Sequence, residues 1–589
     1  MDRETSQFII PLKKPENNCG YDIYPSYPLV GGKIRIGYEM LVEEFLHSKA
    51  VILDGYVGVD WEEIVTNCDE LLKAKGVDCK FVNSRDYLKS ESELSEITAP
   101  FLGGEDPVFG KRTDLSLKDY FSPEKLKQGV EGSRDGAMRI FYGCGAHLLA
   151  QEGLLVYVDL PKNELQYRMR AGKVSNLEIA CPKENKQVYK QFYFVDWVVL
   201  NKVKKELLPK VDIFLDQQRN GQPVYTEGHA VRETLQRMSK SYFRVRPWFE
   251  PGVWGGQWLK ENVDGLNKNA PNYAWSFEMI VPENGLLLED EGKLLEVSFD
   301  TLMYHSSENV LGKATKRFQD EFPIRFDLLD TYGGGNLSVQ CHPKPDYIKK
   351  HFGENFTQDE TYYILEAGED AKVFLGFQND IDPETFKEAL EKCQNDGKLL
   401  EVEKYIQCFP SRKHDLFLIP NGTVHCSGIN NLVLEISATP YIYTFKMYDW
   451  QRLDLDGNPR PLNIDRAMDN LDFERKGEVV KSTLISKPKV VSRGEGWRKV
   501  HLPTHKDHFY DIFRYEFDQE VLIHTMEQCH LLMLVEGTKI DLLVEGIGMR
   551  TFHYAETFAV PAATRTYQLL NKGEDTAKVV VAFVKDEAC

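Results

Sequence analysis

Apolar and polar positions fall into three successive textures along this chain. Up to about residue 237, short apolar runs alternate with stretches of helical period. Ala50-Val51-Ile52-Leu53-Asp54-Gly55-Tyr56 reads as a buried strand, and Trp61 to Lys75 as a helix stopped at Gly76. Cys79-Lys80-Phe81-Val82 and Gly153 to Leu160 read as further strands, the latter followed by a helix around Asn163 to Arg170. Such alternation predicts a mostly parallel sheet. The texture changes at Phe243 to Gly256, where Pro and Gly interrupt regular structure and Trp248, Trp254 and Trp258 lie close together. From Trp275 the apolar segments are short, β-branched or aromatic, and punctuated by Gly, Pro and Asn, as in small β-barrels. Asp382 to Cys393 is the one clear helical insert there, with Phe386 and Leu390 on one face. Beyond about 478, strand-like runs (Phe513 to Phe517, Val521 to Ile523, Leu531 to Leu534, Ile540 to Val544, Thr557 to Val560, Tyr567 to Leu569, Val579 to Val584) recur at jelly-roll spacing. The pattern predicts a multidomain chain: an α/β domain over 1–237, a β-barrel domain with helical inserts over 238–475, and a second barrel over 476–589.

The central texture carries the candidate chemistry. In Leu337-Ser338-Val339-Gln340-Cys341-His342-Pro343, strand alternation turns Gln340 and His342 to one face and Cys341 to the other. Glu360 and His425 each stand at the edge of a strand-like run, so antiparallel pairing can gather all four. Two imidazoles and two oxygen donors suit a divalent metal such as zinc, with room for a substrate oxygen. Cys341 and Cys426 flank these positions but turn away, as packing residues. The tail lacks the pattern: Thr566 stands where alignment on Pro420 to Val424 would require a second His425, and His524 and His530 read as packing or surface residues. The second barrel is therefore expected to be metal-free.

In the first domain, Leu53 to Glu62 is a strand, turn and helix start, the setting of a phosphate-binding loop. Such a loop needs glycines, a Lys and a hydroxyl. Gly55-Tyr56-Val57-Gly58-Val59-Asp60-Trp61-Glu62 has neither Lys nor Ser/Thr, and acids stand where phosphate charge would be held. With Tyr142 to Ala146, Val156 to Pro161 and Gln166 to Arg170, the layout resembles a degenerate uridine-kinase-like (P-loop-kinase-like) domain. With the Lys and hydroxyl missing from the loop, the domain is expected to be a retained scaffold for assembly or ligand sensing rather than a site of phosphate transfer. Arg168 and Arg170 are expected on a solvated helix face, Lys313, Lys316 and Arg317 on another, and the tryptophans near 248 to 258 in core packing.

Composition narrows the function classes. The 589 residues are 42% hydrophobic and 28% charged, an ordinary globular balance. A net charge of −19 argues against nucleic acid or an anionic membrane as partner, and an anionic substrate would need a local basic pocket. No apolar run approaches the ~20 residues that span a bilayer, and no signal-peptide pattern opens the chain. Eleven scattered cysteines without a C-x-x-C pair fit reduced thiols in a cytoplasmic protein. Oligomeric state is left open.

Residues 243 to 453 resemble the class I phosphomannose isomerases, which are zinc cupins. The resemblance rests on Val253-Trp254-Gly255-Gly256, Trp275-Ser276-Phe277-Glu278, Arg317-Phe318 with Phe322-Pro323, Leu328-Leu329-Asp330, and Leu337 to Pro343. Val373 to Phe377, Ile419 to His425 and Tyr448-Asp449 extend it. It implies that Gln340, His342, Glu360 and His425 hold Zn2+ and that Ser338 and Glu435 line the substrate site. Glu435 is then the base or holds it, and Lys446 binds phosphate or stabilises an enediolate. The implied activity is interconversion of mannose 6-phosphate and fructose 6-phosphate, with a small-molecule sugar phosphate as partner. The chain departs from the family pattern at Gln358 and Asp327, where Lys is usual, at Lys446, where Arg is usual, and by one extra residue after Glu435. Losing cations weakens a dianion site, and Lys lacks the guanidinium fork. The alternative is a non-catalytic metal-bearing carbohydrate or sugar-phosphate binding or regulatory protein. A fused kinase–isomerase is a third reading that needs nucleotide at Gly55 to Glu62.

Overall fold

The structure is a computed structural model that describes residues 3–15, 20–104, 106–131, 137–150, 152–177, 184–280, 283–441, 443–453, 457 and 460–589. The alternating segments of the first third build a seven-stranded sheet. Its parallel strands lie side by side in the order Cys79–Asn83, Met138–Tyr142, Ala50–Gly55, Leu154–Asp159, Ile213–Asp216. Val224–Glu227 and Arg35–Ile36 extend it antiparallel at one edge. The helix Trp61–Ala74 begins where Asp60 accepts the Glu63 N–H, and Ile64, Cys68 and Leu72, four apart, form its buried stripe. Arg168 departs from expectation. It is fully buried and donates to the carbonyls of Gly58, Gln217 and Gln218, while Arg170 pairs with Glu250. Apart from Glu164, one turn back at 3.7 Å, the polar partners lie on distant loops, so the pattern along its own helix could not announce them.

The expected boundary at 237/238 is crossed by chain pairing. Ser26–Pro28 runs parallel to Gly285–Asp290, which pairs with Lys293–Ser298. One continuous apolar cluster also reaches from Tyr21 to Val584.

The central segment forms a six-stranded sheet (Leu416–Ile419, Asp359–Ala367, Asn431–Ala438, Arg325–Asp330, Trp275–Met279, Trp248–Glu250) and a five-stranded sheet (Ile406–Pro410, Lys372–Phe377, His425–Ser427, Val339–Cys341, Phe445–Tyr448). The tail adds a six-stranded and a four-stranded sheet, whose inner faces share a core of Phe517, Leu532, Val579, Val521, Ile540 and Tyr567. Where barrels were expected, the described residues form pairs of open sheets, none closed on itself. Trp248 and Trp254 are buried as packing residues, Trp248 stacked on Phe277 and Trp254 edge-to-face with Trp275. The central segment holds more helix than the one insert predicted. Pro383–Asp396 is joined by Asp300–Leu311 and Pro345–Phe352. The Asp300–Leu311 helix buries Asp300, Thr301 and Ser306 among its apolar residues, so no single stripe marks it. Lys313 precedes and Lys316 and Arg317 occupy only a single helical turn, Thr315–Phe318, and Lys313 and Arg317 reach the C-terminal residues Asp586 and Ala588. Among the described residues no helix is long and apolar enough to cross a membrane, and the described cysteines are free.

His524 is exposed, whereas His530 is buried with Nδ1 2.8 Å from the Tyr567 hydroxyl. Burial, helped by Lys499, pushes the His530 imidazole down to about 3. A histidine depressed in the fold takes up a proton on unfolding, so its stabilisation is present above the unfolded value and drains away in acid. Between pH 7 and 5 the wild type should lose about 2 kcal/mol more than His530→Asn, the variant lacking this titration. Urea midpoints at the two pH values check it; equal losses would contradict the assignment.

Candidate metal centre

Strand register decides which side chains meet. In the six-stranded sheet Glu360 lies opposite Ser437, and Tyr362 and Asp327 both lie opposite Glu435. Residues two apart share a face, so Glu360, Tyr362, Glu435, Ser437 and Asp327 line one side. In the five-stranded sheet Gln340 is flanked by His425 on one neighbour strand and Lys446 on the other. The two faces meet across the gap: the rings of Tyr362 and His425 are 5.9 Å apart. His342 follows the three-residue strand Val339–Cys341 and completes the group.

At the centre, Glu360 Oε1 lies 2.7 Å from His425 Nε2 and 3.2 Å from His342 Nε2. All three side chains are buried, and His342, Glu360 and His425 are the metal-capable group found among the described residues. The other nitrogens set the tautomers. His342 Nδ1 is 2.9 Å from the Tyr443 carbonyl and His425 Nδ1 is 2.9 Å from the Thr423 carbonyl. A carbonyl only accepts, so each Nδ1 carries the hydrogen and each Nε2 of the neutral ring turns a lone pair toward the carboxylate. Three acceptors therefore converge in a buried site, and His342 Nε2 and Glu360 Oε1 have no hydrogen-bond partner. A buried carboxylate facing lone pairs is strongly unfavourable unless a cation or protons lie between. Burial lowers the His342 imidazole, but Glu360 raises it further, and the two histidines hold Glu360 well below the usual carboxylate range. The residues fit a metal ion: carbonyl-anchored imidazoles and a carboxylate are its common donor set. The 3.2 Å separation of His342 Nε2 from Glu360 Oε1 is near the roughly 3.4 Å edge of a tetrahedral zinc site, and the 2.7 Å separation of His425 Nε2 from the same oxygen is shorter than that edge.

The other predicted residues surround this group. Gln340 Nε2 is 3.2 Å from His425 Nε2, and its Oε1 accepts from the Ser338 hydroxyl at 2.9 Å. Amide orientation is an assignment from such partners; turned over, the amide offers its oxygen to the cage and its N–H to Ser338. Gln358 donates to Glu360 Oε2 at 3.2 Å, and its own oxygen accepts the Tyr443 N–H at 3.0 Å. Burial and the neighbouring carboxylates push Asp327 and Glu435 well above the usual range. Lys446 is brought down to about 8 by burial and by Arg460, against Asp449, which Arg452 also clasps at 2.6 Å. Cys341 and Cys426 point to the Ala467 and Leu337 carbonyls, away from the cage. Sequence reasoning missed Tyr443 and Thr423, whose carbonyls fix the tautomers. Thr423, two residues before His425, is within reach of local reading; Tyr443 has no such signal.

The site and sheets define a multidomain α/β protein with a buried His–Glu–His group of metal-ligating type. Residues 37–240 match a domain of unknown function, DUF8485. Mannose-6-phosphate isomerase ManA of Bacillus subtilis (strain 168) is 26% identical over 227 residues, 38% of this chain and 67% of that protein. The probable mannose-6-phosphate isomerase GmuF of the same organism is 33% identical over 226 residues, 38% of this chain and 66% of its own length. The chain thus spans about two thirds of the curated relatives it matches. A solved mannose 6-phosphate isomerase from Bacillus subtilis superposes with a TM-score of 0.46 at 19% identity, covering 58% of this chain and 99% of that one.

If the cage holds a metal, Glu360→Gln should abolish stoichiometric metal after dialysis, and Gln358→Ala should weaken retention about 10–100-fold, as loss of a carboxylate-orienting partner does. Elemental analysis against graded chelator checks both. Equal retention by wild type and Glu360→Gln would exclude the cage.

Proposed function

We propose that the chain is a zinc-dependent aldose–ketose isomerase acting on mannose 6-phosphate and fructose 6-phosphate. The observation that carries this reading is the convergence of Glu360 Oε1 with the two Nε2 lone pairs, in a chain whose partial relatives are mannose-6-phosphate isomerases. Moving a proton between C1 and C2 builds negative charge on oxygen. A divalent metal, held by His342, Glu360, His425 and Gln340, supplies Lewis-acid stabilisation of that charge. Glu435, on the same sheet face as Glu360, is the candidate base; burial, with Asp327 and Glu360 beside it, pushes its carboxyl above the usual range, the direction that strengthens a base. Lys446, beside Gln340 in register, is the cation for the phosphate or the developing oxyanion, with Ser338 orienting Gln340. In this reading residues 238–475 are the cupin-type metal unit, 476–589 its metal-free counterpart and 1–237 a kinase-like α/β unit.

A second reading, a non-catalytic metal-bearing sugar binder, is favoured by Asp327. Its buried carboxyl lies opposite Glu435 and near Glu360, in a position that disfavours an anionic ligand. The two readings separate in one assay. With purified zinc-replete protein, the first expects turnover of mannose 6-phosphate that falls at least 10³-fold in Glu435→Gln, taking loss of the base as the upper part of the usual general-base contribution. It also expects a KM rise with smaller kcat loss in Lys446→Met. Saturable sugar or sugar-phosphate binding without turnover would establish the second reading and remove the first.

A further inference from the structure

Open parallel sheets bind ligands beyond the carboxyl ends of their strands, where connections leave neighbouring strands in opposite directions. Here that point lies between Ala50–Gly55 and Leu154–Asp159. The chain leaves the first strand toward Cys79–Asn83 on one side and the second toward Ile213–Asp216 on the other. The loop at Gly55 to Glu62 starts at the same point, and its amides are engaged within the unit. Gly55 N–H donates to Asp54 Oδ1 at 2.8 Å, Tyr56 N–H to the Val158 carbonyl at 3.2 Å, and Asp60 N–H to Gln217 Oε1 at 3.1 Å. Gly58, at φ +89°, packs so closely that a Cβ would meet Leu165 Cδ1 at 2.2 Å.

The space beyond these strands is taken by Glu296 to Asp300, from the following segment of the chain. Asp216 Oδ2 accepts the Glu296 N–H at 3.1 Å; Asp159 accepts the Ser298 N–H at 2.7 Å and its hydroxyl at 3.1 Å. Deepest in, the Asp300 carboxylate lies between Lys162 Nζ at 2.5 Å and Lys204 Nζ at 3.1 Å, and Lys204 also reaches Asp159 Oδ1 at 3.0 Å. Both ammonium groups stand over the Tyr56 ring, at 5.0 and 4.7 Å. All four charged side chains are buried. Two buried ammonium groups at a switch point are what an anionic ligand requires, and here a carboxylate of the same chain supplies the anion. Burial pushes the Asp300 carboxyl up, but the two lysines together hold it below the usual range.

We propose that Asp300 is the resident occupant of the ligand crevice of the α/β unit, which makes this unit an internal docking module that clamps Glu296 to Asp300 and takes no nucleotide. The clamp fixes the strand Lys293–Ser298 and the start of the helix Asp300–Leu311, and so ties the first third of the chain to the segment bearing the cation cage. The inference does not depend on the isomerase reading.

The test uses the full chain. Titration calorimetry of wild type with Mg-ATP should give no binding. Asp300→Ala should lower the thermal midpoint by roughly 2–4 °C, because Lys162 loses its carboxylate and Lys204 keeps only Asp159. Acetate should then restore part of that loss in Asp300→Ala more than chloride at equal ionic strength, and should leave wild type unmoved. Asp300→Asn, which keeps the volume, should be destabilised without responding to acetate, and it carries the test if the alanine variant does not fold. Stoichiometric Mg-ATP binding by wild type, an unchanged midpoint in Asp300→Asn, or a folded Asp300→Ala indifferent to acetate would each overturn the proposal.

Discussion

Two main-chain carbonyls, those of Tyr443 and Thr423, hold the Nδ1 hydrogens of His342 and His425 and thereby aim two Nε2 lone pairs at Glu360. The surrounding strands bury all three side chains, so this electron-rich contact lies inside the core. The Glu360 side chain is fixed on its far oxygen by Gln358, which is itself held by the Tyr443 N–H. One backbone residue, Tyr443, thus positions both an imidazole and a carboxylate through its C=O and N–H. An apolar substitute for any one member would leave the others buried and unpaired, which costs more than the interaction gained.

The facing sheets make this contact possible, because each contributes one kind of group. The six-stranded sheet presents carboxyls (Glu360, Glu435, Asp327), and the five-stranded sheet presents nitrogen donors and a cation (Gln340, His425, Lys446). Carboxyls on one face set against the Lys446 ammonium on the other give a small buried volume a strong field. The remaining thirds of the chain stabilise the pair from outside. Tyr510 of the tail donates to the Ile436 carbonyl at 2.7 Å, on a strand of the six-stranded sheet. Arg112 of the α/β unit reaches the buried Glu354, which also accepts from the Tyr443 hydroxyl at 2.9 Å.

How much of this could be read from the residues depended on sequence distance. The strands Ala50–Gly55 and Leu154–Asp159 and the helix Trp61–Ala74 follow from local period and capping, and they stand within a residue or two of expectation. Gln340, His342, Glu360 and His425 could be named because strand alternation and family-like spacing are local signals. Non-local pairings were not legible. Ser26–Pro28 adds to a strand at Gly285–Asp290, and nothing in either segment encodes the other. Arg168 and Asp300 look like surface charges until the partners that bury them arrive from elsewhere in the chain. Open sheet pairs and closed barrels share the same alternation, so the distinction rests on edge strands that pattern cannot place.

His342, Glu360 and His425 form the group proposed to grip one divalent ion. Diffraction from crystals of the zinc-replete chain, with data on both sides of the zinc absorption edge, tests it most directly. The account predicts a single strong anomalous peak about 2.0–2.2 Å from His342 Nε2, His425 Nε2 and a Glu360 oxygen. An empty cage with the anomalous signal elsewhere, or ordered water among the three side chains in zinc-replete crystals, would contradict it.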